Sequence, residues 1–225
     1  MAGTSIAENF AQVRKKISEA CQKSKRDPTS VKVVVVSKSQ GIEVMRAAVD
    51  AGVRTFGENY AQELVTKLEI FSQENLEWHF IGHLQTNKVK DVVGRVRLIH
   101  SIDSLRLLQK IDATAKLLNI TQDVLLEVNI AGEASKTGSD ISAVEECLDQ
   151  INALTRIQVK GLMTMPPLVA DPEQNRTHFR ALRQLRDRLK LQGELSMGTS
   201  HDYAVAIEEG ATIIRVGSAI LGERR

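Results

Sequence analysis

Eight short apolar runs, each followed by a longer amphipathic segment, succeed one another along this 225-residue chain. Parallel strands cannot be joined by tight hairpins. They need crossover connections, most often helices, so this alternation specifies a parallel sheet covered by helices. The run Val33-Val34-Val35-Val36 fits that demand, because a strand buried on both faces reads as continuous β-branched residues. Strands are expected over 32–37, 53–56, 77–81, 97–102, 124–130, 158–163, 194–197 and 212–216. Between them, helical spacing predicts helices over 42–51, 59–74, 86–94, 103–118, 140–153, 171–191 and 202–209, with a short turn after the last strand. Asp103 is the expected N-cap of the helix over 103–118. A further helix opens the chain over 5–24, where Ile6, Phe10, Val13, Ile17 and Cys21 recur at spacings of three and four.

Eight strand–helix units close most naturally as a (β/α)8 TIM barrel, here with an extra N-terminal helix; an open doubly wound sheet is the competing architecture. No linker, low-complexity tract or fixed-period repeat divides the sequence, so residues 1–225 are expected to form one domain. Apolar residues make up 42% and charged residues 26%, which supplies both a large core and a hydrated surface. A net charge of +2 and an aromatic content of 4% argue against a nucleic-acid partner, which would require a basic face or base-stacking rings. The longest apolar runs are strand-sized, so no membrane span is expected. Cys21 and Cys147 lie far apart without metal-ligand spacing and read as thiols in a reducing compartment rather than a disulfide. The N-terminus lacks an apolar signal region, and Glu8 and Glu19 interrupt its basic residues, so a cytoplasmic protein is expected. A closed barrel leaves no sheet edge demanding a partner, which favours a monomer.

In such a barrel the chemistry gathers at the C-terminal ends of the strands, with phosphate commonly held after strands 7 and 8. The unusual residues of this chain fall there. Lys38 closes the segment Val33-Val34-Val35-Val36-Ser37-Lys38, where desolvation disfavours the ammonium form and leaves a neutral amine able to attack an aldehyde. The segments Gly198-Thr199-Ser200 and Gly217-Ser218 each precede a helical turn, and Arg215 lies between them. Backbone N–H groups at such turns are unpaired and lie at the positive end of a dipole, glycine lets an anion approach, and Ser200 and Ser218 add hydroxyl donors. An imine-forming lysine beside a phosphate cradle points to pyridoxal 5'-phosphate (PLP).

Plainer readings compete for every one of these residues. Thr199, Ser200 and Ser218 could be ordinary helix caps, Lys38 could reach from a strand end into solvent, and Arg215 could be a salt-bridged core residue. His79, inside an apolar strand, reads as a hydrogen-bonded core histidine, and His201 as a helix-start residue near phosphate. Met163 and Met165 are more often core fillers than ligand contacts. Glu58 would pair with a nearby cation or cap the following helix. The stretch over 88–97 reads as a solvated helix face.

The segments Val36-Ser37-Lys38, Phe56-Gly57-Glu58-Asn59-Tyr60, Trp78-His79-Phe80-Ile81-Gly82-His83-Leu84-Gln85, Leu195-Ser196-Met197-Gly198-Thr199-Ser200-His201-Asp202 and Arg215-Val216-Gly217-Ser218-Ala219-Ile220-Leu221-Gly222 closely resemble the pyridoxal-phosphate homeostasis proteins, single-domain relatives of the alanine racemase barrel. The resemblance runs along essentially the whole chain. It implies Lys38 as the Schiff-base lysine; Ser200, Gly217 and Ser218 as phosphate holders; Arg215 facing the pyridine nitrogen; Asn59 and Met163 as walls beside the ring; and His83 near the mouth. Two departures stand out: Thr199 where methionine is expected, and Ser39-Gln40-Gly41 in place of threonine-lysine-proline, which alters the loop after the first strand.

A guanidinium does not readily give up its proton, so a ring nitrogen facing Arg215 stays unprotonated and the ring is a weak electron sink. The racemase relatives add a tyrosine from a second domain. Here the sequence ends at Arg225, and Tyr60 and Tyr203 offer no obvious replacement. The resemblance therefore implies a cofactor-binding protein of vitamin B6 homeostasis rather than an enzyme, with PLP-dependent apoenzymes as recipients. The rival readings are a PLP-dependent racemase and a Schiff-base aldolase acting on a sugar phosphate.

Overall fold

The computed structural model describes residues 5–132, 138–151 and 153–223, with the side chains of 146 and 147 left out. The valine run forms β1 (Lys32–Val36), which is flanked on both sides by parallel neighbours, β2 (Thr55–Glu58) and β8 (Ile213–Val216). Between those two, β3 (Glu77–Phe80), β4 (Leu98–Ile102), β5 (Gln122–Glu127), β6 (Ile157–Met163) and β7 (Glu194–Thr199) complete a closed, all-parallel barrel in sequence order. The predicted TIM barrel is therefore the architecture found, and the open sheet is not.

Helices cover the outside of the barrel: α2 (Ile42–Asp50), α3 (Ala61–Ile70), α4 (Val89–Val92), α5 (Leu105–Leu117), α6 (Ile141–Ile151), α7 (Arg176–Arg188), α8 (Tyr203–Glu208) and α9 (Ser218–Leu221). The opening helix, α1 (Ile6–Lys23), begins with a reciprocal capping box between Ser5 and Glu8 and buries Val13, Ile17, Ala20 and Cys21. It packs against α8 and α9, and the Asn9 amide donates to the Ile220 carbonyl at 3.1 Å. Cys21 is a buried free thiol whose pKa burial raises, so it is a poor nucleophile. The expectation for Cys147 lies outside the described side chains. Among the described residues no helix is long and apolar enough to cross a membrane.

Several boundaries differ from the sequence expectation, each for a local reason. β5 starts and ends earlier than 124–130, because Gln122 and Asp123 are buried members of the strand with partners of their own. The Gln122 amide accepts from Gly94 N–H at 3.0 Å, and Asp123 pairs with Arg97 at 2.9 Å. β2 runs through Gly57, which looks like a strand breaker but supplies room in the lumen: a Cβ there would lie 2.7 Å from Val34 Cγ1. Ser104, not Asp103, caps α5, its hydroxyl accepting from Leu107 N–H at 3.3 Å, while Asp103 pairs with His83 at 3.1 Å. The helix expected over 171–191 is a 3₁₀ turn, Pro172–Asn175, leading into α7, and that expected over 86–94 is a 3₁₀ turn, Thr86–Lys88, leading into the single turn of α4.

Past β1 the backbone is tied down on both sides of Lys38. Glu58 at the end of β2 and Lys67 on α3 are both buried and 2.7 Å apart. The Ser37 hydroxyl donates to Glu58 Oε1 at 2.6 Å, and the Lys67 ammonium donates to the Ser37 carbonyl at 2.7 Å. Glu63, 2.9 Å from Lys67, accepts the Ser39 N–H at 2.8 Å. Ser39 needs such restraint, for its φ is +56°, a left-handed conformation costly for a residue with a Cβ. This triad, the buried Glu58 and Lys67 with the partly exposed Glu63, fixes the residues before and after Lys38, so the lysine leaves the barrel rim from a defined point.

Lys67→Met should lower the unfolding free energy by about 3 kcal/mol near neutral pH, because it leaves the Glu58 carboxylate buried without its cation. Burial already raises the Glu58 pKa, and its Oε2 is buried without a hydrogen-bond partner. A carboxyl whose folded pKa is raised contributes stability that declines as pH rises above its unfolded value. The loss in Lys67→Met should therefore shrink toward acid pH, where Glu58 is protonated. Urea unfolding at acid and neutral pH measures this; an equal loss at both would contradict the triad's ionic character.

Candidate functional site

The loops after the C-terminal ends of the strands surround a cavity of about 890 Å³. All seven residues singled out from the sequence line it: Lys38, Asn59, Met163, Ser200, Arg215, Gly217 and Ser218. Lys38 occupies the turn directly after β1 and is half-buried at the rim rather than sealed in the strand. Met163 ends β6 and is buried, Asn59 follows β2, and Ser218 is exposed at the start of α9.

Arg215 carries the site's buried positive charge. Only 3% exposed, it donates from Nη1 to the Ser196 hydroxyl at 2.5 Å and from Nη2 to the Thr164 carbonyl at 2.9 Å, with Met165 Sδ also against Nη2. Burial pulls the guanidinium pKa down to about 10 while the Glu127 and Asp202 carboxylates oppose that shift, so it remains a cation at neutral pH. Its hydrogen-bond partners in the barrel are thus uncharged groups that fix its orientation.

The two glycine turns meet. The Ser200 hydroxyl oxygen accepts from Gly217 N–H at 3.0 Å and from Ala219 N–H at 3.4 Å, so one side chain stitches the turn after β7 to the turn after β8. Asp202 shapes the first of these turns: its Oδ1 accepts from Thr199 N–H at 2.7 Å and from the Thr199 hydroxyl at 3.1 Å, while Oδ2 accepts from the Asn175 amide at 2.9 Å. Threonine at position 199 thus takes part in the turn that the sequence flagged as unusual. Gly198 has φ +91°, and a Cβ there would come within 2.6 Å of Ala206 Cβ and 2.9 Å of Tyr203 Cα, so only glycine lets the turn lie flat on α8.

On the opposite wall, Gly82 allows the loops after β2 and β3 to touch, since a Cβ would sit 2.2 Å from the Asn59 carbonyl. Asn59 Oδ1 is buried in this wall with no hydrogen-bond partner. Such an orphaned acceptor costs about 1–3 kcal/mol and is expected where a ligand supplies the missing donor.

Other residues fall into place around this centre. His83 lines the cavity mouth beside Asp103, and His201 lines it from an exposed position. Glu58 pairs with Lys67, as its cation-partner reading expected, and is not among the cavity residues. His79 is a buried, hydrogen-bonded lumen residue. In the stretch over 88–97, Val89, Val92, Val93 and Val96 are buried while Lys90, Arg95 and Arg97 are exposed, the solvated face expected there.

Four residues of the site escaped the sequence reading. Glu127, the last residue of β5, lines the cavity; the strand-end rule would have found it had the end of β5 not been placed three residues too late. Asp202 stands two residues beyond Ser200, where a carboxylate following a Gly-Thr-Ser turn is a recognisable turn brace. Ser196 and Asn175 carried no local signal, because both act through partners distant in sequence.

The model of the alanine racemase N-terminal domain matches residues 4–225. A pyridoxal phosphate homeostasis protein of Aquifex aeolicus is 44% identical over 223 residues, covering 97% of this chain and 98% of that protein. A protein of the same name from Pseudomonas aeruginosa is 39% identical over 225 residues, covering 98% and 96%. Among solved structures, PipY of Synechococcus elongatus with PLP bound superposes with a TM-score of 0.83 at 32% identity, covering 96% of this chain and all of that one. With its closed barrel, rim lysine and stitched glycine turns, the chain belongs to the alanine racemase N-terminal domain family and, within it, to the pyridoxal phosphate homeostasis proteins.

Proposed function

We propose that residues 1–225 form one domain that binds PLP covalently through Lys38 and serves vitamin B6 homeostasis in the cytoplasm, holding a reactive aldehyde and releasing it again. The observation that carries this reading is convergence: an amine, a buried guanidinium and two joined backbone turns face one cavity of about 890 Å³. That volume lies within the range of small-molecule sites. The relatives named for pyridoxal phosphate homeostasis, and PipY with its PLP, support the choice of ligand.

The residues fit that ligand chemically. The Gly217 and Ala219 N–H groups, now shared on one hydroxyl, and the Ser200 and Ser218 hydroxyls supply donors for a phosphate dianion. Asn59, with its orphaned oxygen, and Met163 form walls for an aromatic ring. Lys38 would hold the ligand through its aldehyde, the amine nitrogen replacing the carbonyl oxygen, which would leave as water. When bound, PLP offers an electrophilic carbonyl and an electron-withdrawing ring. Arg215 weakens the second property, because a guanidinium that keeps its proton leaves the ring nitrogen unprotonated. The site is therefore suited to storing and transferring the aldehyde rather than to carbanion chemistry. PLP-dependent apoenzymes are the partners of this reading, and a monomer its working form.

Ser200→Ala should weaken PLP binding about tenfold by removing one donor to the phosphate, and leave the affinity for unphosphorylated pyridoxal unchanged. Equilibrium dialysis with both ligands measures the difference; equal effects on the two would remove Ser200 from the phosphate site. The PLP-loaded protein should not exchange Cα deuterium into a panel of amino acids faster than free PLP does. Rapid exchange, abolished in Lys38→Ala, would replace storage by racemase-type catalysis.

A further inference from the structure

From the guanidinium a line of buried polar groups crosses the barrel lumen to the opposite mouth. Ser196 on β7 and His100 on β4 are 0% exposed, and His79 on β3 is 1% exposed. Ser196 Oγ lies 2.8 Å from His100 Nδ1, His100 Nε2 lies 2.8 Å from His79 Nδ1, and His79 Nε2 lies 2.9 Å from Glu77 Oε1. Glu77 begins β3 at the N-terminal rim, where Lys32 of β1 also reaches it at 2.7 Å.

We propose that this line is a one-way hydrogen-bond relay, Arg215–Ser196–His100–His79–Glu77, through which a carboxylate at one mouth of the barrel fixes the orientation of the guanidinium at the other. Ser196, His100 and His79 are then positioning residues for Arg215, which rests on the reading that Arg215 faces the cofactor ring.

The polarity follows from counting protons. A guanidinium can only donate and a carboxylate can only accept, so both ends demand the same direction. His79 must donate from Nε2 to Glu77. A neutral ring then accepts at Nδ1, so His100 donates to it from Nε2 and accepts at its own Nδ1. The Ser196 proton goes to that nitrogen, leaving the hydroxyl lone pairs for Arg215 Nη1–H. Every group is satisfied in this arrangement only. A second proton on either ring would direct an N–H at Ser196 and leave the serine proton facing donors alone.

The surroundings keep the rings neutral. Burial lowers the pKa of both histidines, that of His100 well below the usual value. The charged groups facing them from other elements are Lys32 of β1, Arg97 before β4 and Arg215 of β8, cations that disfavour an imidazolium; at His79 the Glu77 carboxylate works against burial, which is the larger effect. His79 and the Lys32 ammonium, in turn, hold Glu77 ionised, with its pKa pulled down to about 2. Beside this polar line Val34, Leu98, Leu125, Met163 and Ile213 form a separate apolar lumen cluster. The lumen thus accepts apolar filling, and a line of five polar residues that ends on Arg215 is not needed to fill it.

The test begins with the unliganded protein. Long-range 15N–1H spectra should show His79 and His100 as neutral Nε2–H tautomers throughout the neutral pH range, and Glu77→Gln, whose amide can donate as well as accept, should mix the tautomers. A charged ring, or an Nδ1–H tautomer at His100, would overturn the relay. Ser196→Ala and His100→Phe, saturated with PLP, should shift the absorption maximum of the bound chromophore and weaken PLP about tenfold, as loss of one buried hydrogen bond does. Parental absorption and affinity in a variant with a cooperative unfolding curve would overturn the positioning role. Failure of the parent protein to bind PLP would instead remove the reading of the site itself, and is told apart because the tautomers are read without ligand.

Discussion

The seam between β1 and β8 is the constraint on which the site depends. Val35 pairs with Val216 and Val34 with Arg215, so the first and last strands of the barrel lie side by side although their residues are remote in sequence. That closure brings Lys38, just past the end of β1, beside Gly217, just past the end of β8; a Cβ on Gly217 would stand 3.4 Å from Val36 Cβ. An open sheet with the same strand order would leave the amine and the glycine turns on opposite edges. Lys38 and the two glycine turns share one cavity only because the sheet closes.

Charge is buried in two different ways around that seam. Glu58 and Lys67 neutralise one another directly, and their further hydrogen bonds hold Ser37, the residue before Lys38, while Glu63 holds Ser39 after it. Arg215 has neutral contacts at Ser196 and Thr164, which orient it without taking up its charge. The first arrangement locates an amine; the second keeps a cation in the cavity wall. Both have the same purpose, since a group must be held still from behind to act at the front of a pocket.

Local turn chemistry made much of this legible in advance. Lys38 after four valines, and the Gly-Thr-Ser and Gly-Ser turns, carry their meaning in adjacent residues. Alternating strands and helices carried the fold in the same way. What remained hidden depends on register and on contacts across the lumen. The polar residues Gln122 and Asp123 read as loop, which displaced β5 and put Glu127 in mid-strand instead of at the rim. His100 and Ser196 lie inside strands buried on both faces, where no alternation marks which side chains enter the lumen. Asp103 lost the cap of α5 to Ser104 because its carboxylate pairs with His83 instead.

The central claim is that one rim amine, held between residues fixed by the Glu58–Lys67–Glu63 triad, captures PLP. Borohydride reduction of the PLP-saturated protein, followed by peptide mass mapping, tests it most directly. The account predicts a single phosphopyridoxyl adduct, on Lys38. An adduct on Lys67, Lys88 or any other lysine in its place, or no adduct at all, would contradict it.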